Sequence, residues 1–406
     1  MSGTGSAARS YEPPAKGEDL HRNGCRDEAC VTVRRESLRM KAAVLYAYNE
    51  DMVIEDVSIA EPKDREVLVR ILATGVCHSD LSAAKGKSRP RLPIILGHEA
   101  SGIVERTGSA VSKVRKGDHV ILSWAPNCGE CFYCHKKLPT MCDTYGNAAG
   151  GGTLWDGTRR LASAEKPVNH FTCVSSFAEY AVVPETGCAK IADDIPFEVA
   201  ALVGCAVTTG FGAVVNDARS EPGDVVGVIG VGGVGINAIH AAALAGAEAV
   251  VAIDINSEKE GVARSFGATH FLNSRTQDVV AEIKAINRGR GADRFIDCTG
   301  RPEAIALAYE GIRPGGAVIS VGIAGKGEMV ALPASTLPNT QKRIIGSNYG
   351  GGVPERDFER ILGLYRVGKF DLDRQVGKRV GLDQINDAFR WLEQGVLART
   401  LICFDN

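Results

Sequence analysis

Seven cysteine and histidine residues divide by spacing alone into two kinds of metal site. Cys128, Cys131, Cys134 and Cys142 read C-x2-C-x2-C-x7-C. Four thiolates on one looped excursion can enclose a zinc ion in a closed, tetrahedral, structural site without help from the rest of the fold. Disulfide pairing of the same four cysteines is the alternative, and a reducing compartment disfavours it. Cys77, His98 and Cys205 lie far apart in the chain. They offer three protein ligands and leave a fourth position for water or substrate, the composition of a catalytic zinc. Singly, each would read as an ordinary core residue. Their company changes the weighting, because His78, Ser79 and Asp80 follow Cys77 and Glu99 follows His98, so each ligand has polar neighbours able to orient it. The pairing of the two sites points to an enzyme.

A second chemistry-bearing motif is Gly230-Val231-Gly232-Gly233-Val234-Gly235. It follows a strand-like run and opens a helix-like one, where a dinucleotide pyrophosphate can rest on the helix N-terminus. Gly230 suits the tight turn, Gly232 the close approach of backbone to phosphate, and Gly235 close helix packing. Asp254, nineteen residues beyond Gly235, ends the next strand-like run. A carboxylate there accepts from the adenosine ribose and repels a 2′-phosphate, which favours NAD over NADP; a plain strand-end aspartate is the bland reading. Lys259, one turn into the following helix, either reaches the ribose or is a solvated lysine.

These groups need a scaffold. From Met40 to about Val207 short β-branched runs alternate with Gly and Pro, over Lys41–Tyr48, Val67–Ala73, Gly102–Glu105, His119–Trp124 and Ala178–Val183, predicting a strand-rich, largely antiparallel unit. From about Asp224 apolar runs alternate with helical stretches: Val225–Gly230, Gly233–Ala245, Ala249–Asp254, Ser257–Phe266, Arg294–Cys298 and Ala317–Val321. That alternation predicts a doubly wound parallel sheet, so the fold class is α/β. After Asn348 the sequence predicts two amphipathic helices and a last strand, Thr400–Phe404, returning to the first unit. Residues 1–39 lack apolar periodicity and read as a disordered extension; Cys25, Cys30 and His21 within it read as incidental.

The 406 residues, 44% hydrophobic with a formal net charge of −2, can bury a full core. So balanced a charge favours neither nucleic acid nor a membrane surface as partner. No apolar run reaches the ~18 residues that a spanning helix needs, and no secretory signal is apparent, so a soluble cytoplasmic protein with reduced thiols is expected.

Taken together, Gly97-His98-Glu99, the four-cysteine lobe, Asp156-Gly157-Thr158, Gly204-Cys205 through Thr209-Gly210, and Arg399-Thr400 resemble the zinc-dependent medium-chain alcohol dehydrogenases, specifically the longer members that keep both zincs. The resemblance runs from Met40 to Phe404. It implies a GroES-like, β-rich catalytic domain over residues 40–206 and 349–406 around a Rossmann domain at 207–348. It further implies interconversion of alcohols with aldehydes or ketones, using NAD and two zinc ions per chain, in a homodimer or homotetramer acting on a small-molecule substrate. By the same resemblance Ser79 takes the alcohol proton, Asp80 orients His98, and Glu99 approaches the catalytic zinc when its fourth position changes hands and pairs with Arg399. His78 and Arg399 would touch the cofactor pyrophosphate, Thr209 and Val234 the nicotinamide side, and Val321 and Ile323 its amide. Trp124 and Phe171 would wall an apolar, moderately wide cleft, although aromatics also serve as plain core.

Two departures stand out. Many animal members carry a histidine five residues after the first cysteine ligand, and this chain has Ser82. Members acting on the glutathione adduct of formaldehyde carry an arginine four residues after the last lobe cysteine, and this chain has Gly146. Ordinary primary or secondary alcohols are therefore the expected substrates, with glutathione-adduct activity as the alternative. An enzyme that never releases its NAD, and a zinc- and nucleotide-binding protein without turnover, are further readings. The second sits poorly with intact Cys77, His98, Cys205, Ser79 and Glu99.

Overall fold

The computed structural model describes residues 37–395 and 399–404. His21, Cys25, Cys30 and most of the expected extension lie outside them. The first strand opens at Leu38 rather than Met40, because Leu38 and Arg39 already pair with Ile59 and Ser58.

Three sheets organise the described residues. A small closed barrel joins strands Leu38–Leu45, Val53–Ile59, Leu161–Ser163, Lys166–His170 and Ile94–Ile95. Beside it a seven-stranded sheet centres on Glu66–Gly75, which pairs antiparallel with Glu99–Thr107 on one side and with Arg399–Cys403 on the other. The third sheet has six strands, all parallel, between Val225 and Gly346. Its order places Val225–Ile229 centrally, between Ala249–Asp254 and Ala292–Asp297. All five residues of Val225–Ile229 are buried, as expected where helices cover both faces. The chain's end returns to the seven-stranded sheet, and Val376–Val380 adds a strand there that its mixed polarity concealed in the sequence.

Between the antiparallel and parallel sheets runs one helical stretch of 22 residues, Phe197–Ala218, whose most apolar 18 residues have a mean hydropathy of 1.7. This corrects the expectation that no segment is long and apolar enough to span a membrane. Glycines and threonines hide the run when unbroken apolar residues are sought, yet 83% of its most apolar stretch is buried inside the protein. Its apolarity reflects contact with protein on every side, as in a core helix. Residues 206 and 207, where the expected domain division falls, lie in the middle of this run, so the two units share a helix.

The run is not a uniform α-helix. Val203–Val207 and Ala213–Ala218 are wider π-turns. Such turns free backbone groups from the helical ladder, and the first of them carries Cys205.

Candidate active site

Helix His78–Ala84 begins directly after Cys77, and its third residue, Asp80, folds back to accept the Cys77 N–H at 3.1 Å. The same buried carboxylate accepts the Gly97 N–H at 3.0 Å and lies 2.9 Å from His98 Nδ1. Asp80 thus ties together the chain around two of the three predicted ligands. With Nδ1 engaged, the His98 ring is left with Nε2 as its free lone pair.

Gly204 lets the core helix approach, since a Cβ there would lie 3.0 Å from the Leu122 carbonyl oxygen and 3.5 Å from the Ala100 nitrogen. The π-turn then presents Cys205. Its freed Ala206 N–H donates to Glu99 at 2.9 Å, and the Gly204 carbonyl accepts the Tyr349 hydroxyl. Cys77, His98 and Cys205 converge with their ligand atoms all within 4.8 Å of one another, and each is buried.

The electrostatics suit a cation. A hydrogen bond from Cys205 pulls the Cys77 thiol well below the ordinary thiol range, with His98 adding to the effect. Burial alone would depress His98; the adjoining Asp80 carboxylate more than offsets it and holds the ring well above the usual histidine range. Two sulfurs and an imidazole poised in this way match the donor set of a zinc site that keeps an open position.

Glu99 is fully buried. Burial lifts its carboxyl to about 7, against the opposing charge of Arg399, with which it forms an ion pair. Gly75 makes room for it, as a Cβ there would fall 2.0 Å from Glu99 Oε2.

In the four-cysteine lobe, sulfur-to-sulfur separations of 3.5, 3.5, 3.9 and 4.0 Å link Cys131 to Cys134, Cys142 to Cys128, Cys131 to Cys142 and Cys128 to Cys134. Sulfurs about 2.3 Å from a shared centre at tetrahedral angles stand about 3.8 Å apart, whereas a disulfide needs about 2.05 Å. The lobe therefore fits zinc and not disulfide pairing. The Cys128 and Cys131 N–H groups also point at lobe sulfurs, each at 3.3 Å.

The glycine loop has the form an anion needs. Gly230 has φ +92, and a Cβ on Gly235 would fall 1.8 Å from the Gly230 carbonyl oxygen. Above Gly232, the residue capping helix Gly233–Leu244, a Cβ would meet nothing within 4 Å. The Arg399 guanidinium lies over Gly233, and its buried Nε has no partner among the described residues. An orphan cationic donor above a helix N-terminus fits a pyrophosphate.

Asp254 is buried and accepts the Val231 N–H at 2.8 Å and the Asn256 N–H at 3.0 Å. Lys259 is not a freely solvated lysine, since its Nζ lies 3.1 Å from Asp254 Oδ2. His78 is exposed and Ser79 half-buried beside Cys77, while Thr209 and Val234 are half-buried on facing helices. Val321 is half-buried and Ile323 is 88% exposed.

Phe171 sits edge-on to His98 with ring centroids 5.7 Å apart. Trp124 is stacked on Tyr349 at 4.3 Å and tilted against Tyr145 at 6.2 Å. Sequence reasoning singled out neither tyrosine. For Tyr349 the available signal was an aromatic residue opening a run of three glycines.

The alcohol dehydrogenase GroES-like domain matches residues 63–193 and the zinc-binding dehydrogenase domain matches residues 233–365. Over 370 residues the chain is 35% identical to the probable S-(hydroxymethyl)glutathione dehydrogenase 1 of Schizosaccharomyces pombe, covering 90% of this chain and 97% of that protein. It is 34% identical, with the same coverage, to the class-P alcohol dehydrogenase of Arabidopsis thaliana. Among solved structures, benzyl alcohol dehydrogenase from Acinetobacter calcoaceticus superimposes with a TM-score of 0.86 at 34% identity, over 91% of this chain and all of the other.

Proposed function

Because the chain belongs to the zinc-dependent medium-chain alcohol dehydrogenases, NAD-dependent oxidoreductases of alcohols and aldehydes, we propose that it interconverts small primary or secondary alcohols and their carbonyl products beside Cys77, His98 and Cys205. The observation that carries this reading is the convergence of those three ligands around an imidazole oriented by Asp80.

When bound, zinc supplies Lewis acidity toward the substrate oxygen and the nicotinamide supplies the two-electron partner. Cys77, His98 and Cys205 hold the catalytic ion, and Cys128, Cys131, Cys134 and Cys142 the structural one. Asp80 fixes the His98 ring and so the direction of its lone pair. Ser79, beside Cys77, is the hydroxyl that takes the substrate's proton; with Ser82 where many animal members carry a histidine, that proton leaves through water. Glu99 supports the site from beneath, held by Ala206 and Arg399. Arg399 and the N–H groups of the glycine loop bind the pyrophosphate, with His78 at its rim. Asp254 and Lys259 face the ribose. Thr209, Val234, Val321 and Ile323 flank the nicotinamide, which would cover the exposed Ile323. Trp124 and Phe171 exclude water from the reacting carbon.

Residues 40–206 and 349–406 form the catalytic domain in this reading, and 207–348 the cofactor domain. Gly146 is exposed and offers no cation for a glutathione carboxylate, so ordinary alcohols are favoured over the glutathione adduct. The cysteines of the described residues are all unpaired, in keeping with a reducing, cytoplasmic setting. A homodimer is supported by the open edge of the parallel sheet, where Arg343–Gly346 exposes Ile344, with Met329 and Leu337 also exposed nearby in the chain.

The test is an alcohol and aldehyde panel followed by absorbance of the reduced nicotinamide. Turnover of simple alcohols with NAD supports the proposal. Zinc and NAD bound without turnover of any alcohol would sink it.

A further inference from the structure

The strand Cys188–Lys190 is the outermost of the seven-stranded sheet and pairs on one side only, with His119–Leu122. The Ile191 N–H donates to the His119 carbonyl at 2.9 Å and the Ser123 N–H to the Gly187 carbonyl at 2.8 Å, so the odd-numbered residues turn their backbone groups toward that neighbour. By the two-residue period of a strand, the C=O of Cys188 and both the N–H and the C=O of Lys190 point away from it. None of the three has a partner among the described residues. Such an edge is a template for one more strand. A lysine side chain often guards an edge of this kind, but Lys190 is drawn back onto Asp118 at 2.7 Å.

Alongside this edge runs the helix Pro354–Arg366, and a cavity of about 700 Å³ lies between the two. Its floor is apolar, with Ala189, Ile191 and Ile195 from the sheet side and Phe358 and Leu362 from the helix, all buried. The exposed ion pair of Lys113 with Glu355, at 2.6 Å, marks one end, and that of Arg366 with Asp194 the other. From Glu355 to Arg366 the helix rises about 16 Å, the length of about five residues of extended chain. Of the charged residues along this groove, Lys113, Lys190, Glu355 and Arg366 are each paired, and Glu359 alone has no cation beside it among the described residues.

We propose that this groove docks an extended segment of a partner protein, which adds as a strand beside Cys188–Lys190 and turns alternate side chains, apolar ones flanking a lysine or arginine, toward the floor and Glu359. A groove between an edge strand and a helix combines two sources of recognition: main-chain hydrogen bonds supply affinity, and side-chain pockets select the sequence. The unpaired carboxylate sets the sign of the charge that is accepted. None of the lining residues belongs to the metal, proton or cofactor machinery, so the surface is separate from the catalytic cleft.

The full chain would be titrated with the fluorescein-labelled peptide Val-Thr-Lys-Thr-Val, read by fluorescence anisotropy, beside a counterpart with glutamate at its centre. The lysine peptide is expected to bind saturably and about tenfold more tightly than the glutamate peptide. Glu359→Lys should reverse that order and, because the side chain is exposed, leave the melting temperature unchanged. Methylation of one alternate set of the lysine peptide's backbone nitrogens should abolish binding and methylation of the other should not, because only one set faces the strand. Equal losses from the two sets, an order untouched by Glu359→Lys, or no saturable binding to the wild type would each overturn the proposal. So would a wild-type dimer, read by light scattering, that Glu359→Lys dissolves while neither peptide binds; the groove would then be a contact between copies of this chain.

Discussion

The fully buried carboxylate of Glu99 is paired with the guanidinium of Arg399, 300 residues later in the chain. The strand that carries Arg399 thereby brings one cation to both functions of the cleft, neutralising the support of the metal site and reaching over the glycine loop.

Replacing Arg399 with Met leaves Glu99 buried and unpaired, which costs about 3–5 kcal/mol. Denaturant titration should show that loss. The double variant with Glu99→Gln should recover most of the stability but not the affinity for NAD, measured by titration calorimetry. Recovery of both would mean that Arg399 has no part in holding the cofactor.

Cys205→Ala should remove alcohol oxidation and one of two zinc ions, read by elemental analysis, while NAD still binds. Cys131→Ala should lose the other ion and lower the melting temperature first, because the lobe has little besides its metal to hold it. Undiminished turnover by Cys205→Ala would refute the ligand assignment.

At Asp254 the cofactor preference is open to measurement. Asp254→Ala should raise kcat/KM for NADP relative to NAD by tenfold or so, since one carboxylate against a 2′-phosphate is worth on the order of 1–2 kcal/mol near a surface. Lys259, freed from its partner, would then face the phosphate. An unchanged ratio would remove Asp254 from the ribose site.

His170 supplies a pH signature of stability. Burial, then the charges of Arg160 and Arg159, lower its pKa to about 3, and its Nε2 accepts the Arg160 N–H at 3.0 Å. The folded protein keeps it neutral while the unfolded chain takes up a proton below about 6.5. The unfolded state therefore binds more protons between about pH 3 and 6.5, and stability falls as pH drops through that window, by about 1.4 kcal/mol per unit. His170→Gln, which keeps an acceptor, should flatten that slope in melts at pH 7.5 and 5.5. An equally steep slope in the variant would place the effect elsewhere.

Ile344→Lys puts a charge on the open edge of the parallel sheet, a device that discourages edge pairing. Light scattering after gel filtration should show the oligomer shifted toward monomer. An assembly that persists unchanged would mean that subunits meet on another face.

The alternating apolar runs between Val225 and Ser320 made the four central strands of the parallel sheet readable, because each buried strand declares itself within a few residues; the outer strands His270–Asn273 and Arg343–Gly346, less buried, did not. Strand Val376–Val380 did not, since its polarity is that of a sheet edge. The core helix Phe197–Ala218 was also missed, because Gly204, Gly210 and Gly212 interrupt its apolar run, although they are close-packing positions: a Cβ on Gly210 would fall 2.3 Å from the Val234 carbonyl oxygen.

Spacing along the chain was enough to specify the thiolate lobe and the phosphate loop, because each is built from neighbours whose separation limits the shapes they can take. The meeting of Cys77, His98 and Cys205 was decided only in three dimensions, by a helix widened at Val203–Val207 and lying close on the sheet. So were the placing of Arg399 over Gly233 and the aromatic wall of Trp124, Tyr145 and Tyr349. Contacts between residues hundreds of positions apart depend on how whole elements pack, and no short stretch of sequence holds that information.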